Sequence, residues 1–481
     1  MSALPTLLPS QVDYMAMHES KINSEYYFVN KGEMGSGKTI TTIYLALKYK
    51  KDLLVIGPKN IQRNWEDECF KFKVKMTFIS YPLLSRGNSG YVERKGDIMV
   101  PTQLLINLIN TGPFVVYDEA QDVKNPKAKC FLACNEISKC VIKQNSGARI
   151  MILSATLIDK PEYAESTFKL AGIITKKELF FYNPGTKVYT LKGYGYEEAM
   201  SYCAKLNPSA TSKCVPKTIN AKQLRIVLFN LSCDVIMPNM SFLMRKPQIK
   251  AQFYPKLGYY KLSNDDDIKL KKAIDDLKKS VRYNPDNKTI LYTNDTMRGV
   301  ILAHHNIERA KMPLFERLAL ETLKNVENSK VILFLWYTDS IDYLMEKLKA
   351  YNPLKLNGSV NAEIRYDQLN ARFMQANNNC RLIIAHPKAA GVGLSYDDRF
   401  GDFPRYSFMS SNYHFIPIHQ SAGRTHRPTT KSDAHFSIVY GRDAIEHSIM
   451  DALSRKTETL QGINACEDII YPAFYPVHIE T

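Results

Sequence analysis

The chain has 481 residues, which is more than one ordinary domain holds and fits two domains of about 200 to 250 residues, each large enough for a hydrophobic core. A hydrophobic content of 45% with 23% charged residues excludes a disordered chain, and no stretch approaches the roughly 20 apolar residues that a membrane span needs. The net charge of +16 favours a partner rich in phosphate, such as nucleic acid, because lysines and arginines attract a phosphate backbone whatever its sequence.

The first motif with chemical content is the sequence G-x-x-x-x-G-K-T near the amino terminus. An apolar run at 26–29 predicts a strand before it, and four apolar residues after it share one face of a predicted helix. In such a loop, backbone N–H groups surround a phosphate, Lys38 contacts its β- and γ-oxygens, and Thr39 holds Mg²⁺. The predicted nucleotide-binding residues of this loop are Gly32, Glu33, Met34, Gly35, Ser36, Gly37, Lys38 and Thr39.

A second predicted strand, at 114–117, ends in the carboxylates Asp118 and Glu119. A carboxylate pair at the end of a strand beside a phosphate loop divides two tasks: Asp118 holds the water shell of Mg²⁺, and Glu119 accepts a proton from the attacking water. The alternative is a polar turn after a core strand. A third predicted strand, at 150–153, runs into Ser154-Ala155-Thr156, whose hydroxyl groups could connect the nucleotide site to a bound polymer.

The pattern changes in the middle of the chain. Strands alternate with helices up to about residue 240, which is typical of a parallel sheet covered on both faces. Between about 160 and 250 the periodicity weakens, and turns are predicted at 183–185 and 207–209. This segment is either a helical insertion that grips a partner or a surface elaboration. A lysine-rich amphipathic helix is predicted from 265 to 280.

The second half repeats the design without a phosphate loop. Strands are predicted at 331–334 and 382–385, and a glycine-containing turn that includes Gly393 follows the second of them. Further along, Gln420 begins a segment in which Arg424 and Arg427 lie three residues apart on one face of a helical turn. Such arginines can stabilise charge that develops on a γ-phosphate. The alternative for them is a solvated basic face.

Two remaining features concern the compartment. The nine cysteines are scattered without a C-x-x-C pair, so buried thiols in a reducing compartment explain them better than a zinc site. The amino terminus has no basic region ahead of an apolar run, so no secretory signal is predicted. The cytoplasm, the nucleus or a virus particle is therefore expected.

In order and spacing, these motifs resemble those of superfamily 2 helicases, and within them the Swi/Snf-type DNA translocases, over about residues 7 to 456. The acidic box at 118–125 is similar to the D-E-x-H-x-x-K-N box of that branch, with Gln121 in place of histidine. Ser154 opens a serine-alanine-threonine segment where the Swi/Snf type usually has threonine-glycine-threonine. Three further segments carry the resemblance, at 55–68, 356–373 and 440–446. The chain lacks the accessory modules of chromatin remodellers and looks like the compact forms of large DNA viruses.

The resemblance implies an α/β fold of two RecA-like parallel-sheet lobes with an ATP cleft between them. The expected parts are an amino-terminal lobe at 1–250 with a possible insertion at about 160–250, a carboxyl-terminal lobe at 251–460, and a tail at 461–481. Gln11 would read adenine and Gly393 would also contact the nucleotide. The implied catalytic residues are Lys38, Asp118, Glu119, Gln420, Arg424 and Arg427. The expected nucleic-acid contacts are Pro58, Lys59, Tyr81, Tyr337 and Lys388, with core packing as the alternative for the two tyrosines.

The function implied by the resemblance is ATP hydrolysis with Mg²⁺, coupled to movement along nucleic acid. Translocation on duplex DNA, in transcription or DNA remodelling of a virus or nucleus, is the first expectation. A strand-separating helicase on DNA or RNA is the second, and a non-catalytic nucleic-acid-binding subunit of a transcription complex is the third. Because few residues remain for accessory modules, recruitment by a protein partner such as the transcription machinery is also expected.

Overall fold

The computed structural model of the protein describes residues 4–280, 294–441 and 476–477, apart from positions 34, 155–156, 159–160, 217, 243, 245–246, 248, 261, 392 and 413. The described chain divides into two compact units, the first ending at residue 247 and the second beginning after it. The tail predicted at 461–481 lies outside the described residues except for two positions.

The first unit is built on a six-stranded parallel sheet with the strand order β10-β1-β7-β6-β2-β3. Its central strands are buried along their whole length, which is why they consist of continuous apolar runs rather than alternating ones. Two antiparallel hairpins, β4–β5 and β8–β9, stand outside this sheet. The strands of the unit are β1 Tyr27–Asn30, β2 Leu53–Gly57, β3 Met76–Ser80, β4 Val92–Lys95, β5 Ile98–Pro101, β6 Phe114–Asp118, β7 Arg149–Leu153, β8 Phe181–Asn183, β9 Val188–Thr190 and β10 Ser241–Phe242.

Helices connect these strands and cover the sheet, as parallel pairing requires. Several of these helices begin or end at a proline, a threonine or a left-handed glycine. At the start of α5, for example, the hydroxyl of Thr102 accepts a hydrogen bond from the amide of Leu105. The helices of the unit are α1 Pro9–Lys21, α2 Lys38–Lys48, α3 Gln62–Phe72, α4 Tyr81–Arg86, α5 Gln103–Asn110, α6 Lys129–Gln144, α7 Ala164–Leu170, α8 Gly195–Leu206, α9 Pro208–Lys213, α10 Ala221–Leu231 and α11 Met237–Met240.

The second unit has a seven-stranded parallel sheet with the order β13-β14-β12-β15-β16-β11-β17. Its strands are β11 Phe253–Tyr260, β12 Lys330–Phe334, β13 Leu354–Leu356, β14 Leu382–Ala385, β15 Arg405–Ser410, β16 Ala434–Gly441 and β17 Pro476–Val477. Its helices are α12 Asn264–Ser280, α13 Asn294–Ala310, α14 Met312–Asn325, α15 Thr338–Lys347, α16 Ala362–Gln368, α17 Pro387–Ala390 and α18 Phe415–Thr425.

The predicted fold class, α/β with two parallel-sheet units, is confirmed. The strands predicted around the phosphate loop and the acidic pair, and the two in the second half, all form within one residue of their expected positions. The amphipathic helix expected at 265–280 is α12. Among the strands that were not predicted, β11 contains Pro255, which lowers the strand signal, yet it pairs with β16 along its whole length.

Candidate nucleotide-binding and hydrolysis site

The phosphate loop joins the carboxyl end of β1 to the amino terminus of α2. Gly37, the residue before the helix, has a φ of 92°, a left-handed conformation that glycine adopts without steric cost. A Cβ at this position would lie 2.3 Å from Nε2 of Gln11, so close approach also requires glycine there. The loop is further fixed by the amide of Gly32, which donates to Oδ1 of Asn30 at 2.9 Å. The backbone is thus preset in the strand, loop and helix context that the motif needs. Met34 of this loop lies outside the described residues.

Lys38 lies against the backbone of the loop. Its ammonium donates to the carbonyl oxygens of Gly32 at 2.8 Å and of Glu33 at 3.2 Å. Thr39 follows it in the first turn of α2 and is half-buried. Because an ammonium group can exchange carbonyl oxygens for phosphate oxygens without moving far, Lys38 is suited to the charge-binding role predicted for it.

Gln11 on α1 braces the same loop from the other side. Its side-chain amide donates to the carbonyl of Ser36 at 2.7 Å, and its Oε1 accepts from the amide of Leu8 at 2.9 Å. The residue is buried, as is His18 two turns along the helix, whose ring stacks on Phe28 of β1 at 3.6 Å between centroids. The structure therefore places Gln11 in contact with the phosphate loop. Its predicted contact with adenine stays a prediction.

Asp118 ends β6 with a buried carboxylate that accepts two hydrogen bonds. Nε1 of Trp65 donates to its Oδ2 at 2.8 Å, and the amide of Glu119 donates to its Oδ1 at 2.9 Å. Burial, followed by the neighbouring charge of Glu119, raises the pKa of Asp118 to about 6, while Trp65 and the positive charge of Lys38 act to lower it. The opposing effect of Lys38 shows that the lysine and the carboxylate lie within electrostatic reach of each other.

Glu119 has a strained backbone conformation, and its carboxylate ends a series of hydrogen-bonded side chains. Its φ of 51° and ψ of 47° are left-handed, which is unusual for a residue other than glycine, asparagine or aspartate. Its Oε2 accepts from Nε2 of Gln121 at 2.7 Å, and Oε1 of Gln121 accepts from the hydroxyl of Ser154 at 2.5 Å. We call this set, Ser154, Gln121 and Glu119, the carboxylate relay. The glutamine that departs from the family's histidine is thus the residue that connects the acidic pair to the end of β7.

Of the predicted residues of the second unit, Arg424 binds the backbone at the end of α17. Three side chains hold three consecutive carbonyl groups there, those of the last two residues of α17 and of the glycine after it: Nη1 of Arg365 donates to Ala389 at 3.0 Å, the hydroxyl of Tyr396 to Ala390 at 2.7 Å, and Nε of Arg424 to Gly391 at 2.8 Å. Of the four residues predicted for this unit's part of the site, Gln420 and Arg424 are buried, Arg427 is half-buried, and Gly393 is half-buried with a φ of 77°.

The placement of Arg424 carries information that sequence could not supply. Its guanidinium binds backbone in its own unit, so part of its donor set is committed to positioning the glycine-containing turn. Arg427 lies beyond the end of α18, and its own amide donates to the hydroxyl of Thr430 at 2.7 Å. Both arginines remain predicted contacts of the γ-phosphate. Sequence reasoning gave Tyr396 no role, because nothing in the local pattern points it at Ala390.

The five predicted nucleic-acid contacts have different surroundings. Lys59, directly after β2, and Lys388, in α17 after β14, are exposed, and Pro58 is half-buried. Tyr81 is buried, and its hydroxyl donates to the backbone carbonyl of Asp118 at 2.8 Å. These surroundings favour the alternative of core packing for Tyr81, and its contact with nucleic acid stays a prediction.

Tyr337 lies at the carboxyl edge of the second sheet, after β12. Its ring is half-buried at 4.6 Å from the ring of His305, and its amide donates to Oε1 of Glu308 at 3.1 Å. The same buried carboxylate accepts from the amide of Trp336 through its other oxygen at 2.9 Å. Packing accounts for most of this tyrosine's environment, and its contact with nucleic acid stays a prediction.

Two searches of the described residues bear on other classes of site. No helix in the described part of the chain is both long and apolar enough to cross a membrane. Within the same residues, no group of three or more histidine, cysteine, aspartate or glutamate side chains is arranged to hold a metal ion by itself.

Comparison with known proteins gives one similar sequence. No protein-family model matches the chain. A protein of Acanthamoeba polyphaga mimivirus named "Putative ATP-dependent RNA helicase" is 21% identical over 483 residues, covering 95% of this chain and 83% of that protein. This match along almost the entire chain confirms the predicted resemblance to helicase-type ATPases.

Two solved structures are also similar to the chain. The Swi2/Snf2 ATPase core of Sulfolobus solfataricus in complex with double-stranded DNA has 15% identity and a TM-score of 0.33, covering 97% of this chain and 94% of that one. The same core domain without DNA has 17% identity and a TM-score of 0.33, covering 94% and 89%.

Proposed function

We propose that this helicase-like ATPase is a nucleic-acid motor in which ATP hydrolysis drives movement along the polymer. The observation that carries the proposal is the pairing of the phosphate loop with the acidic pair in one unit, where Lys38 acts electrostatically on Asp118 and Glu119 is held by the carboxylate relay. A phosphate-binding lysine, a buried carboxylate and a second carboxylate with its own hydrogen-bond partner are the groups that nucleotide hydrolysis requires.

The residues fit Mg²⁺-ATP. Burial raises the pKa of Asp118 to about 6, so its carboxylate is less stabilised than in water, and a divalent cation would stabilise the ionised form. Thr39 and Asp118 would hold the ion, partly through water, and the amides at the start of α2 would bind the phosphates. When bound, the ion neutralises charge on the β- and γ-phosphates. Glu119 is the proposed base that accepts a proton from the attacking water.

The proposed polymer is duplex DNA, along which the protein would translocate without separating the strands. The Swi/Snf-like segments of the sequence support this choice, and exposed Lys59 and Lys388 at the ends of β2 and β14 suit contacts to a phosphate backbone. Arg424 and Arg427 are the proposed contacts of the γ-phosphate. Such a motor would act in transcription or DNA remodelling, in the cytoplasm, the nucleus or a virus particle, and would be recruited by a protein partner.

A strand-separating helicase is the second candidate, and one observation favours it. The hairpin β8–β9 presents aromatic side chains to solvent, a feature that a duplex-bound motor does not require. The name of the mimivirus relative points in the same direction. The third candidate, a non-catalytic subunit, has no comparable support, because the acidic pair and the lysine of the phosphate loop are all present.

Steady-state hydrolysis of ATP by the full chain tests the proposal. The rate is measured without nucleic acid and with single-stranded DNA, duplex DNA or RNA, for the wild type and for Lys38→Ala and Glu119→Gln. Removing a general base lowers turnover about 10²- to 10⁴-fold, so Glu119→Gln should bind nucleotide and fail to turn it over. Glu93→Gln, an exposed glutamate of β4, is the matched control and should behave as the wild type.

The pattern of stimulation separates the candidates. Stimulation by duplex DNA with no displacement of strands from a forked duplex supports the translocase. Stimulation by single strands or RNA together with efficient displacement supports the helicase. If Lys38→Ala hydrolyses ATP as fast as the wild type, the assigned site is wrong.

A further inference from the structure

The hairpin β8–β9 of the first unit exposes apolar side chains on both of its faces. Phe181 is 49% exposed, Tyr182 is 42% exposed and Val188 is 56% exposed. The two strands pair antiparallel, with Tyr182 opposite Tyr189 and with centroids of those rings 4.6 Å apart. Removing exposed aromatic surface of this kind from water is favourable, so a partner that covers the hairpin would gain binding free energy from it.

The base of the hairpin is firmly attached to the unit. The carboxylate of Glu198 on α8 accepts hydrogen bonds from the amide and hydroxyl of Thr175 and from the amide of Lys176, at 2.7 to 3.1 Å. Phe180, which packs against the core, has the ring of Tyr189 at 5.3 Å and the guanidinium of Arg225 at 6.0 Å. The residues next to the hairpin are therefore fixed to the first unit, while the rings of Phe181 and Tyr182 stay exposed to solvent.

The charged side chains of the hairpin itself have one sign. From residue 179 to 196 the sequence contains no aspartate or glutamate, while six residues are aromatic. The nearest carboxylate is that of exposed Glu197, at the start of α8, which accepts from the amide of Gly193 at 2.6 Å. Lys187, in the turn, and Lys192, just after β9, are exposed. The other hairpin of the unit, β4–β5, differs: its exposed residues include Glu93, Arg94 and Lys95, the mixed charges of an ordinary solvated surface. Positive charge alone, interleaved with rings, complements phosphates and bases rather than a typical protein surface.

We propose that the hairpin β8–β9 is an accessory binding element for single-stranded nucleic acid. The rings of Phe181 and Tyr182 stack on unpaired bases, and Lys187 and Lys192 contact the phosphates of the same strand. Every base has a face on which a ring can stack, so binding is largely independent of sequence. The proposal rests on the proposed function, since it assumes that nucleic acid is the polymer. A single-stranded portion at the hairpin is what the second candidate, the strand-separating helicase, would produce, so the proposal favours that candidate over translocation along an intact duplex.

The test measures fluorescence anisotropy of labelled probes with the full-length protein. The probes are oligo-dT, oligo-U RNA and a blunt DNA duplex. The variants are Phe181→Ala with Tyr182→Ala, which removes both rings, Phe181→Tyr with Tyr182→Phe, which keeps two rings, and Lys187→Gln with Lys192→Gln. Phe70→Ala is the control, because Phe70 on α3 is a ring next to a lysine that is even more exposed, at 87%, than the two rings of the hairpin. Hydrolysis of ATP without nucleic acid checks that each variant is folded.

We expect the double alanine variant to bind both single strands at least about fivefold more weakly, the change that corresponds to losing one stacked base. Affinity for the duplex should stay unchanged, because its bases are already stacked on each other. The variant that keeps two rings should bind as the wild type, and so should Phe70→Ala. In the lysine variant the slope of log affinity against log salt for single strands should fall by about 1.4, that is, about 0.7 for each lost phosphate contact.

Other outcomes overturn the proposal in distinguishable ways. If the wild type binds single strands and the double alanine variant binds them equally well, the hairpin has no such role, the exposed rings serve a protein partner, and the proposed function still stands. If duplex and single-strand affinities fall together, the hairpin contacts a duplex and base stacking is wrong. If the wild type binds none of the probes and none stimulates hydrolysis, the proposed function itself fails.

Discussion

The hydrogen bond between Trp65 and Asp118 should set the acidic limit of the hydrolysis reaction. Trp65→Phe keeps an aromatic ring in the core but removes the donor that lies 2.8 Å from Oδ2 of Asp118. This donor lowers the pKa of the carboxyl group, whose net value is about 6 because burial raises it more than the donor lowers it. A hydrogen bond to a charged group contributes about 1.5 to 3 kcal/mol, and one pKa unit corresponds to about 1.4 kcal/mol. The variant should therefore move the pKa to about 7 to 8.

The assay is the pH dependence of kcat/KM for ATP between pH 5.5 and 9. With a carboxyl pKa near 7.5, the ionised fraction at pH 6.5 falls about eightfold relative to the wild type, while at pH 9 the two proteins should hydrolyse ATP almost equally. Because a divalent cation competes with the proton for the same carboxylate, the shift should shrink as Mg²⁺ is raised.

Tyr81→Phe is the matched control for this experiment. It removes an equally short buried hydrogen bond to the same residue, but to the backbone carbonyl rather than to the carboxylate. Its pH profile should keep the wild-type midpoint. If Trp65→Phe lowers the rate by the same factor at every pH, or if Tyr81→Phe moves the midpoint as far, then loss of packing and not the carboxylate hydrogen bond is responsible, and the reasoning is refuted.

Three further predictions concern the surroundings of the same site. Gln121→Leu breaks the carboxylate relay, so the rate of ATP hydrolysis in the presence of nucleic acid should fall about tenfold or more, as expected for a lost hydrogen bond to a charged group. The rate without nucleic acid should change less. Equal losses in both rates would contradict a role of Gln121 in coupling hydrolysis to nucleic-acid binding. Gly37→Ala brings a Cβ to 2.3 Å from Nε2 of Gln11, so calorimetric titration should show a loss of affinity for ATP. The control is Gly96→Ala: this glycine is also left-handed, but a Cβ there would have no atom within 4 Å, so the affinity should be kept. Burial lowers the pKa of His18 to about 3, so below pH 6.5 the unfolded chain binds one more proton than the native one. The free energy of unfolding should therefore decrease as the pH is lowered, by up to about 1.4 kcal/mol per pH unit. His18→Phe should flatten this dependence in urea titrations at pH 4.5, 5.5 and 7, and an unchanged slope would assign the titration to other groups.

Local sequence carried much of the information about the first unit. A glycine-rich loop between an apolar run and a helical pattern can form few other structures, so the phosphate loop was predictable with its flanking elements. The same holds for the apolar strand that ends in Asp118, because a fully buried parallel strand requires a continuous apolar run.

Contacts between residues distant in the chain were not predictable. Trp65 and Asp118 are 53 residues apart, and nothing in either segment indicates that an indole lies on the carboxylate. Tyr81 follows β3 in a position that suits a surface contact as well as a core one, and only the fold shows that its hydroxyl reaches the backbone behind the acidic pair.

The hairpin β8–β9 shows a third kind of limit. The turn at 183–185 was predicted from asparagine, proline and glycine, yet the strands beside it have only three residues each and too few alternations to indicate pairing. Its exposed rings resemble core residues in the sequence, because hydrophobicity alone does not distinguish a ring that packs in the core from one that is exposed on the surface.

Because the backbone at Glu119 is left-handed, the residue that would stabilise the fold best at this position differs from the residue proposed for catalysis. A side chain other than glycine in this conformation costs about 1 to 2 kcal/mol, and asparagine tolerates it better than glutamate. A library screened only for heat resistance should therefore enrich glycine or asparagine at 119, at the expense of hydrolysis. If Glu119 is the proposed base, a descendant of this protein that no longer needed to hydrolyse ATP would be expected to lose this glutamate among its earliest substitutions.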